Sequence, residues 1–190
     1  MEQKAEQSMF WTSDRLNNLV AISVAVLSGF MAITKIKDDN IVQAMQQAKS
    51  DAIDTWGEYQ AKKIKHHVDE MGVIQLKIMQ DQGRSSPIAM NEIERLNQEI
   101  ERYRHEEKTI ELKAKAADSL YNSLNLVDDQ FDMSDAALSL SLTLFATVAL
   151  TRKKTLLLVA WTFGLFGIVT GLSGLLGWGF HPDWLARLLT

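Results

Sequence analysis

The stretch "FGLFGIVTGLSGLLGWG", residues 163–179, decides the fold, because it holds six of the ten glycines of the chain within one apolar run. Glycine this dense is typical of a phosphate-binding loop, a flexible linker, or a helix face that another backbone approaches closely. The glycines are surrounded by Leu, Ile, Val, Phe and Trp, without Asp, Lys or Asn. This composition excludes a phosphate loop and a linker, and it predicts a membrane helix with a packing face.

The glycines recur at steps of three and four residues, so they follow one face of that helix. Gly167 and Gly171 have the G-x-x-x-G spacing of close helix contacts in membranes. Small residues repeat at similar steps in the first apolar run of the chain. We expect these two faces to pack together, within one chain or between chains. The faces consist of Gly164, Gly167, Gly171 and Gly174, and of Ala21, Ala25, Ser28 and Ala32.

Three apolar runs predict three membrane crossings. The first, residues 16–36, has no charge between Arg15 and Lys35, close to the ~20 residues that cross a bilayer. A cleaved signal peptide is the alternative, but the run is longer than a usual signal core and no clear A-x-A site follows it. Residues 136–150 predict a second crossing of about 22 Å, and residues 155–180 predict the third.

The distribution of cations predicts the orientation of these crossings. The basic turn at residues 151–154 should be cytoplasmic, whereas the approach to the second crossing carries aspartates and no Lys or Arg. The N-terminus is then cytoplasmic and residues 37–135 lie on the outer side, although Lys35 and Lys37 argue for the reverse. The cations of the turn are Arg152, Lys153 and Lys154.

Residues 37–135 predict an antiparallel hairpin of two long helices, 39–80 and 87–131, joined by a turn at 81–86 that contains Gly83 and is followed by Pro87. The second helix has an uninterrupted heptad stripe, which predicts a coiled-coil stalk. Its members are Ile93, Leu96, Ile100, Tyr103, Glu107, Ile110, Ala114, Ala117, Tyr121, Leu124, Asp128 and Phe131.

The first helix of the hairpin has a less regular apolar stripe, with steps of three to five residues. Ile53, Val73 and Leu76 lie off this stripe, so we expect a second surface that packs on another copy of the chain. The segments "KKIK" (62–65) and "ERYRHEEK" (101–108) could pair across the hairpin. The stripe contains Ile41, Met45, Ala48, Ala52, Trp56, Tyr59, Ile64, Val68, Met71, Ile74 and Ile78.

Chemical motifs are few. The chain has no cysteine and no P-loop, H-E-x-x-H or G-x-S-x-G pattern, so we expect no enzyme, no catalytic residue and no cofactor. Residues 37–135 contain thirteen Lys and Arg against twenty Asp and Glu, and this acidic balance excludes nucleic acid binding. His66, His67 and Glu70 are weak metal candidates, because His66 with Glu70 or His67 with Glu70 would share a helix face, but a solvated helix face is the simpler interpretation.

No charged residue lies within the apolar cores of the three predicted crossings, which argues against an ion pathway. Hydroxyl side chains in membrane helices more often bond a neighbouring helix than line a pore. In the first two crossings they are Ser23, Ser28, Ser139, Ser141, Thr143 and Thr147.

The segment "AKSDAIDTWGEYQAKKIKHH" (48–67) and the order of residues from "DDQFDMSDAAL" through the basic turn to "GLSGLLG" resemble a bacterial membrane family known as domain of unknown function 4337. The resemblance covers most of the chain, from about Leu16 to the last crossing. The resemblance implies an inner-membrane protein with this three-crossing layout and brings no activity. Within it, Trp56, Gly57 and Tyr59 are candidates for a contact in the stalk or with a partner protein.

Together these patterns predict an all-α membrane protein, with an interfacial segment at residues 1–15 and an interfacial tail at 181–190. We expect a non-enzymatic, homo-oligomeric scaffold or adaptor of the bacterial inner membrane, whose partners are the lipid bilayer, its own copies, and a further membrane or periplasmic protein. A pore-forming or gating assembly is the alternative, and a metal-binding membrane protein comes third.

Overall fold

The computed structural model describes residues 2–84 and 86–178, with side chains from residue 15 onward. Over these residues the chain is all-helical, with α1 (Glu2–Asp81), α2 (Pro87–Thr151) and α3 (Lys154–Leu176) and no strand. Each helix contains a stretch long and apolar enough to cross a membrane. The predicted tail at 181–190 and most side chains of the predicted segment 1–15 lie outside the described residues.

Local backbone chemistry explains where the helices end. Gly83 takes a left-handed φ of 81° after α1, and Pro87 begins α2 because it needs no amide partner at that position. Arg152, with φ of 56°, makes the tight reversal between α2 and α3. Helix α3 ends at Leu176, because Gly177 is left-handed and its N–H bonds the carbonyl of Ser173. The predicted third crossing continues to residue 180, and residues 179 and 180 lie outside the described residues.

The chain forms two compact units. The three-helix unit contains residues up to 44 and from 123 onward, so that parts of α1 and α2 pack with all of α3. The hairpin unit contains residues 45–122.

In the three-helix unit, apolar side chains from all three helices meet in one core. Phe145 and Val148 of α2 are fully buried there, against Leu27 of α1 and Ala160 of α3. The glycines of α3 lie on the same inner side, since Gly164, Gly167, Gly171 and Gly174 are all buried.

In the hairpin unit, α1 and α2 pack antiparallel. Lys49 lies over the Tyr121 ring, and His66 bonds Glu107. A Cβ at Gly72 would contact Leu96. Later positions of α1 therefore contact earlier positions of α2. The predicted stripe of α2, which extends from this unit into the three-helix unit, is confirmed, because each of its members is buried or half-buried.

The predicted stripe of α1 is correct only in its first half. Ala48 and Ala52 are buried, but from residue 64 onward the predicted members are exposed, and Val73 takes the inner position with 6% exposure. The α1 residues that face α2 follow a strict heptad repeat, which includes Lys62, His66 and Val73. The prediction failed there because polar residues occupy inner positions. The misplaced residues are Ile64, Val68, Met71, Ile74 and Ile78.

Candidate interaction surface

The glycine face of α3 is a close contact between helices. A Cβ at Gly167 would lie 2.7 Å from Leu138 Cγ, and one at Gly171 would lie 2.7 Å from Ser134 Oγ and 2.8 Å from Phe30 Cε1. Real Cβ atoms do not approach so closely, so these positions require glycine at this helix separation. Gly164 and Gly174 make similar contacts.

The small residues of α1 that were expected to meet this face do not do so within the chain. Ala21, Ala25, Ser28 and Ala32 are all exposed, and the glycines pack instead on larger side chains of α1 and α2. The pairing within one chain is therefore wrong. The pairing between chains stays a prediction.

Several hydroxyl groups of the three-helix unit are bonded to a neighbouring helix. Ser141 Oγ donates to the Ala160 carbonyl at 2.7 Å, and Ser134 Oγ donates to the Gly167 carbonyl at 2.7 Å. Trp161 Nε1 donates to Ser23 Oγ at 3.1 Å. The expected role of Ser23 and Ser141 is confirmed, because these hydroxyls join helices.

A layer of charged and polar groups crosses the middle of the hairpin unit. Lys62 Nζ lies 2.5 Å from Glu106 Oε2, so the predicted pairing of the two charged segments is confirmed for these residues. The bond raises the pKa of Lys62 and lowers the pKa of Glu106. His66 Nδ1 donates to Glu107 Oε1 at 2.8 Å, since a carboxylate only accepts.

The histidines named as weak metal candidates are engaged in this layer. His67 Nδ1 bonds Glu70 Oε2 at 3.0 Å, and this bond lowers the pKa of Glu70. His66 Nε2 lies 3.3 Å from Glu70 Oε1, within ion-pair distance but without hydrogen-bond geometry. In the described part of the chain, no group of three or more His, Asp or Glu side chains is arranged to hold a metal ion.

Trp56 and Tyr59 pack as an aromatic pair beside α2. Their rings are 5.5 Å apart and nearly perpendicular, and Trp56 Nε1 donates to Asp118 Oδ2 at 2.8 Å. Gly57 faces away, with nothing within 4 Å of a Cβ built on it. Trp56 and Tyr59 therefore contribute to the hairpin itself, while Gly57 leaves open space on the outer side of α1.

Carboxyl groups gather in the three-helix unit just before the apolar run of α2. Asp38 is buried and bonds Lys35 at 2.8 Å. Burial, together with Asp132 and Asp38, raises the pKa of Asp128 to about 6. Burial and Asp38 also raise the pKa of Asp132. Burial and repulsion between neighbouring carboxylates both disfavour the charged forms of Asp128 and Asp132.

The outer face of α1 in the hairpin unit carries a row of exposed apolar side chains. We name this face the outer stripe. Each of its side chains has 52–70% of its surface exposed. Soluble proteins rarely leave a continuous row of apolar side chains exposed to this extent. The outer stripe consists of Ile64, Val68, Met71, Ile74 and Ile78.

Comparison with known protein families identifies the chain's relatives by sequence. A family model described as Domain of unknown function (DUF4337) matches residues 16–177. The chain belongs to the DUF4337 family. Comparison with curated proteins and with solved structures gives no match.

The match confirms the resemblance read from the "TWGEYQAKK" segment, and it covers both units of this DUF4337 chain. Sequence reasoning missed the bond between Trp56 and Asp118 and the position of the outer stripe. The signal for the stripe was present in the seven-residue recurrence of Ile64, Met71 and Ile78. Because these residues are apolar, they were predicted to lie on the inner face instead.

Proposed function

We propose that this DUF4337 protein is a non-enzymatic, homo-oligomeric scaffold or adaptor of the bacterial inner membrane. The three apolar stretches cross the bilayer, and the hairpin unit stands outside it as a coiled-coil stalk. The N-terminus and the 151–154 turn are cytoplasmic and the hairpin is periplasmic, because the cations of that turn resist translocation.

The observation that carries this proposal is the outer stripe. Polar groups of the inner face pair with one another inside the hairpin, as Lys62 does with Glu106 and Trp56 with Asp118. A second, exposed apolar face on the same helix has no role in holding one chain together. It is the kind of surface by which a stalk binds other chains.

The three-helix unit supports an anchoring role. Its glycine face packs tightly, and Ser134 and Ser141 donate to carbonyls of α3. Hydroxyls bonded in this way hold helices together and do not line a path for ions. We therefore keep the scaffold as the function and expect reconstituted protein to carry no ion current across a planar bilayer.

The test is a mass measurement of the intact protein in nanodiscs. We expect an integer number of copies greater than one, together with the mass of any partner that stays bound. A single copy without a partner would contradict the proposal. Labelling of single cysteines, which is unambiguous because the chain has none, checks the topology: residue 112 should react from the periplasmic side and residue 153 from the cytoplasmic side.

A further inference from the structure

The outer stripe has the repeat of a second coiled-coil seam. Ile64, Met71 and Ile78 recur every seven residues, and Ile74 lies between the last two on the same side. Ile64, Met71 and Ile78 each lie five positions after an inner-face residue, or about 140° around the helix. These inner-face residues are Tyr59, His66 and Val73, respectively. Helix α1 therefore presents two seams, and only the inner one is filled by α2.

We propose that the outer stripe binds the outer stripe of a second copy of this chain, with the two α1 helices parallel and in register. This inference rests on the homo-oligomeric function proposed above and names the surface and the geometry of the contact. Copies that share one membrane insert in the same orientation, so their α1 helices run in the same direction.

The charges beside the stripe favour the parallel arrangement. One flank carries Lys63, Glu70 and Lys77, and the other flank is neutral. In a parallel pair the charged flank of one helix lies against the neutral flank of the other, so no like charges meet across these flanks. The neutral flank consists of Ala61, Val68, which also belongs to the outer stripe, and Gln75.

An antiparallel pair would be opposed by the same charges. Each flank would then face its own counterpart, which brings Lys63 of one copy against Lys77 of the other and Glu70 against Glu70. Like charges placed directly across an interface are destabilising. The parallel pair also buries isoleucine and methionine side chains that are more than half exposed in the single chain, and this burial is the driving force.

Cysteine cross-linking in membranes tests the contact. In the natural cysteine-free background, Met71→Cys should form a disulfide-linked dimer on mild oxidation, because register places the same residue of both copies at the axis. The matched control is Leu112→Cys on α2, since Leu112 is 69% exposed and Met71 is 70% exposed. The control should cross-link at least tenfold less.

The outcomes separate this inference from the function on which it rests. An oligomer by intact mass in which Met71→Cys cross-links no more than Leu112→Cys overturns the proposed contact and leaves the scaffold intact. A single copy in the nanodisc overturns both. Cross-linking of Met71→Cys to a different protein, or of Ile64→Cys only to Ile78→Cys in mixed samples, also overturns the parallel contact.

A second measurement does not depend on disulfide geometry. Met71→Glu places a charge at the centre of the stripe, and Leu112→Glu places the same charge on the control surface. We expect Met71→Glu to reduce the number of copies in the nanodisc without loss of helical circular dichroism, and Leu112→Glu to change neither. Equal copy numbers in both variants would count against the contact.

Discussion

Trp56 and Asp118 are joined by a 2.8 Å hydrogen bond between helices, although 62 positions separate them in the chain. The indole also packs against Tyr59 with the edge-to-face geometry that aromatic pairs prefer. One side chain thus ties the two arms of the hairpin by a polar bond and by apolar contact.

Trp56→Ala should destabilise the hairpin by about 1–3 kcal/mol, less than a fully buried tryptophan would cost because Trp56 is only half-buried. Trp56→Phe keeps an aromatic ring and loses the bond to Asp118, so we expect a loss of about 0.5–1.5 kcal/mol. Thermal unfolding in detergent, followed by circular dichroism, measures both. Equal losses in the two variants would mean that ring packing contributes nothing.

The Trp56→Ala variant also distinguishes two roles for the aromatic pair. If Trp56 supports only the stalk, Trp56→Ala should weaken the oligomer. If it also binds a partner protein, the oligomer should persist while a co-purifying protein is lost. Mass measurement of the intact complex reads both results from one sample.

Gly171→Ala should disturb the three-helix unit, because its Cβ would lie 2.7 Å from Ser134 Oγ and 2.8 Å from Phe30 Cε1. We expect a loss of about 1–3 kcal/mol, typical of overpacking, and a larger loss for Gly171→Leu. Gly29→Ala is the control, since nothing lies within 4 Å of a Cβ at that position. It should be neutral or stabilising by up to about 1 kcal/mol. Unchanged melting of Gly171→Leu would refute the close contact.

Asp128 should make the protein less stable as the pH rises. Its pKa is raised from 3.8 to about 6 in the folded chain, so ionisation is harder in the folded state than in the unfolded state. The contribution is fully favourable below about pH 4 and is lost between pH 4 and pH 6.

Asp128→Asn removes this dependence, because the amide stays neutral and still donates a hydrogen bond. We expect the variant to melt higher than the natural protein at pH 7 and at a similar temperature at pH 4. Asp54→Asn, at an exposed position of the hairpin, controls for the loss of one negative charge. A difference between Asp128→Asn and the natural protein that is independent of pH would contradict the assignment.

Lys62 and Glu106 should be coupled only modestly, despite their short contact of 2.5 Å. Both side chains remain partly exposed, so water and salt screen the pair. A double-mutant cycle with Lys62→Ala and Glu106→Ala should give about 0.2–1 kcal/mol at low salt and less at high salt. The exposed pair Lys115 and Glu111 provides the comparison within one helix. A coupling that does not change with salt would indicate a desolvated pair.

Much of the architecture could be predicted from local patterns. The turn between the long helices follows from Gly83 and Pro87, whose backbone preferences hold in any context. The stripe of α2 was correct because its apolar residues keep a strict heptad repeat. The glycine face was correctly predicted to be a helix contact, since a run of glycines in an apolar helix has few other roles.

The partners of these faces could not be predicted in the same way. Glycine spacing shows that another chain segment can approach, but it does not select among the surfaces that reach it, and here Phe30, Ser134 and Leu138 fill the space. Which face of α1 turns inward depends on His66. Its side chain can be buried there only because Glu107 of α2 accepts a hydrogen bond from it.

Local sequence was therefore sufficient for the helical character of the chain, the turn between α1 and α2, and the periodicity of α2, because propensity, capping and spacing act over a few residues. Only the tertiary structure decided which face turns inward on α1 and what covers the glycines of α3. Those choices depend on hydrogen-bond partners and packing volume contributed by residues tens of positions away. By assigning Val73 and His66 to the inner face, the fold leaves Ile64, Met71 and Ile78 exposed as the surface on which the proposed function rests.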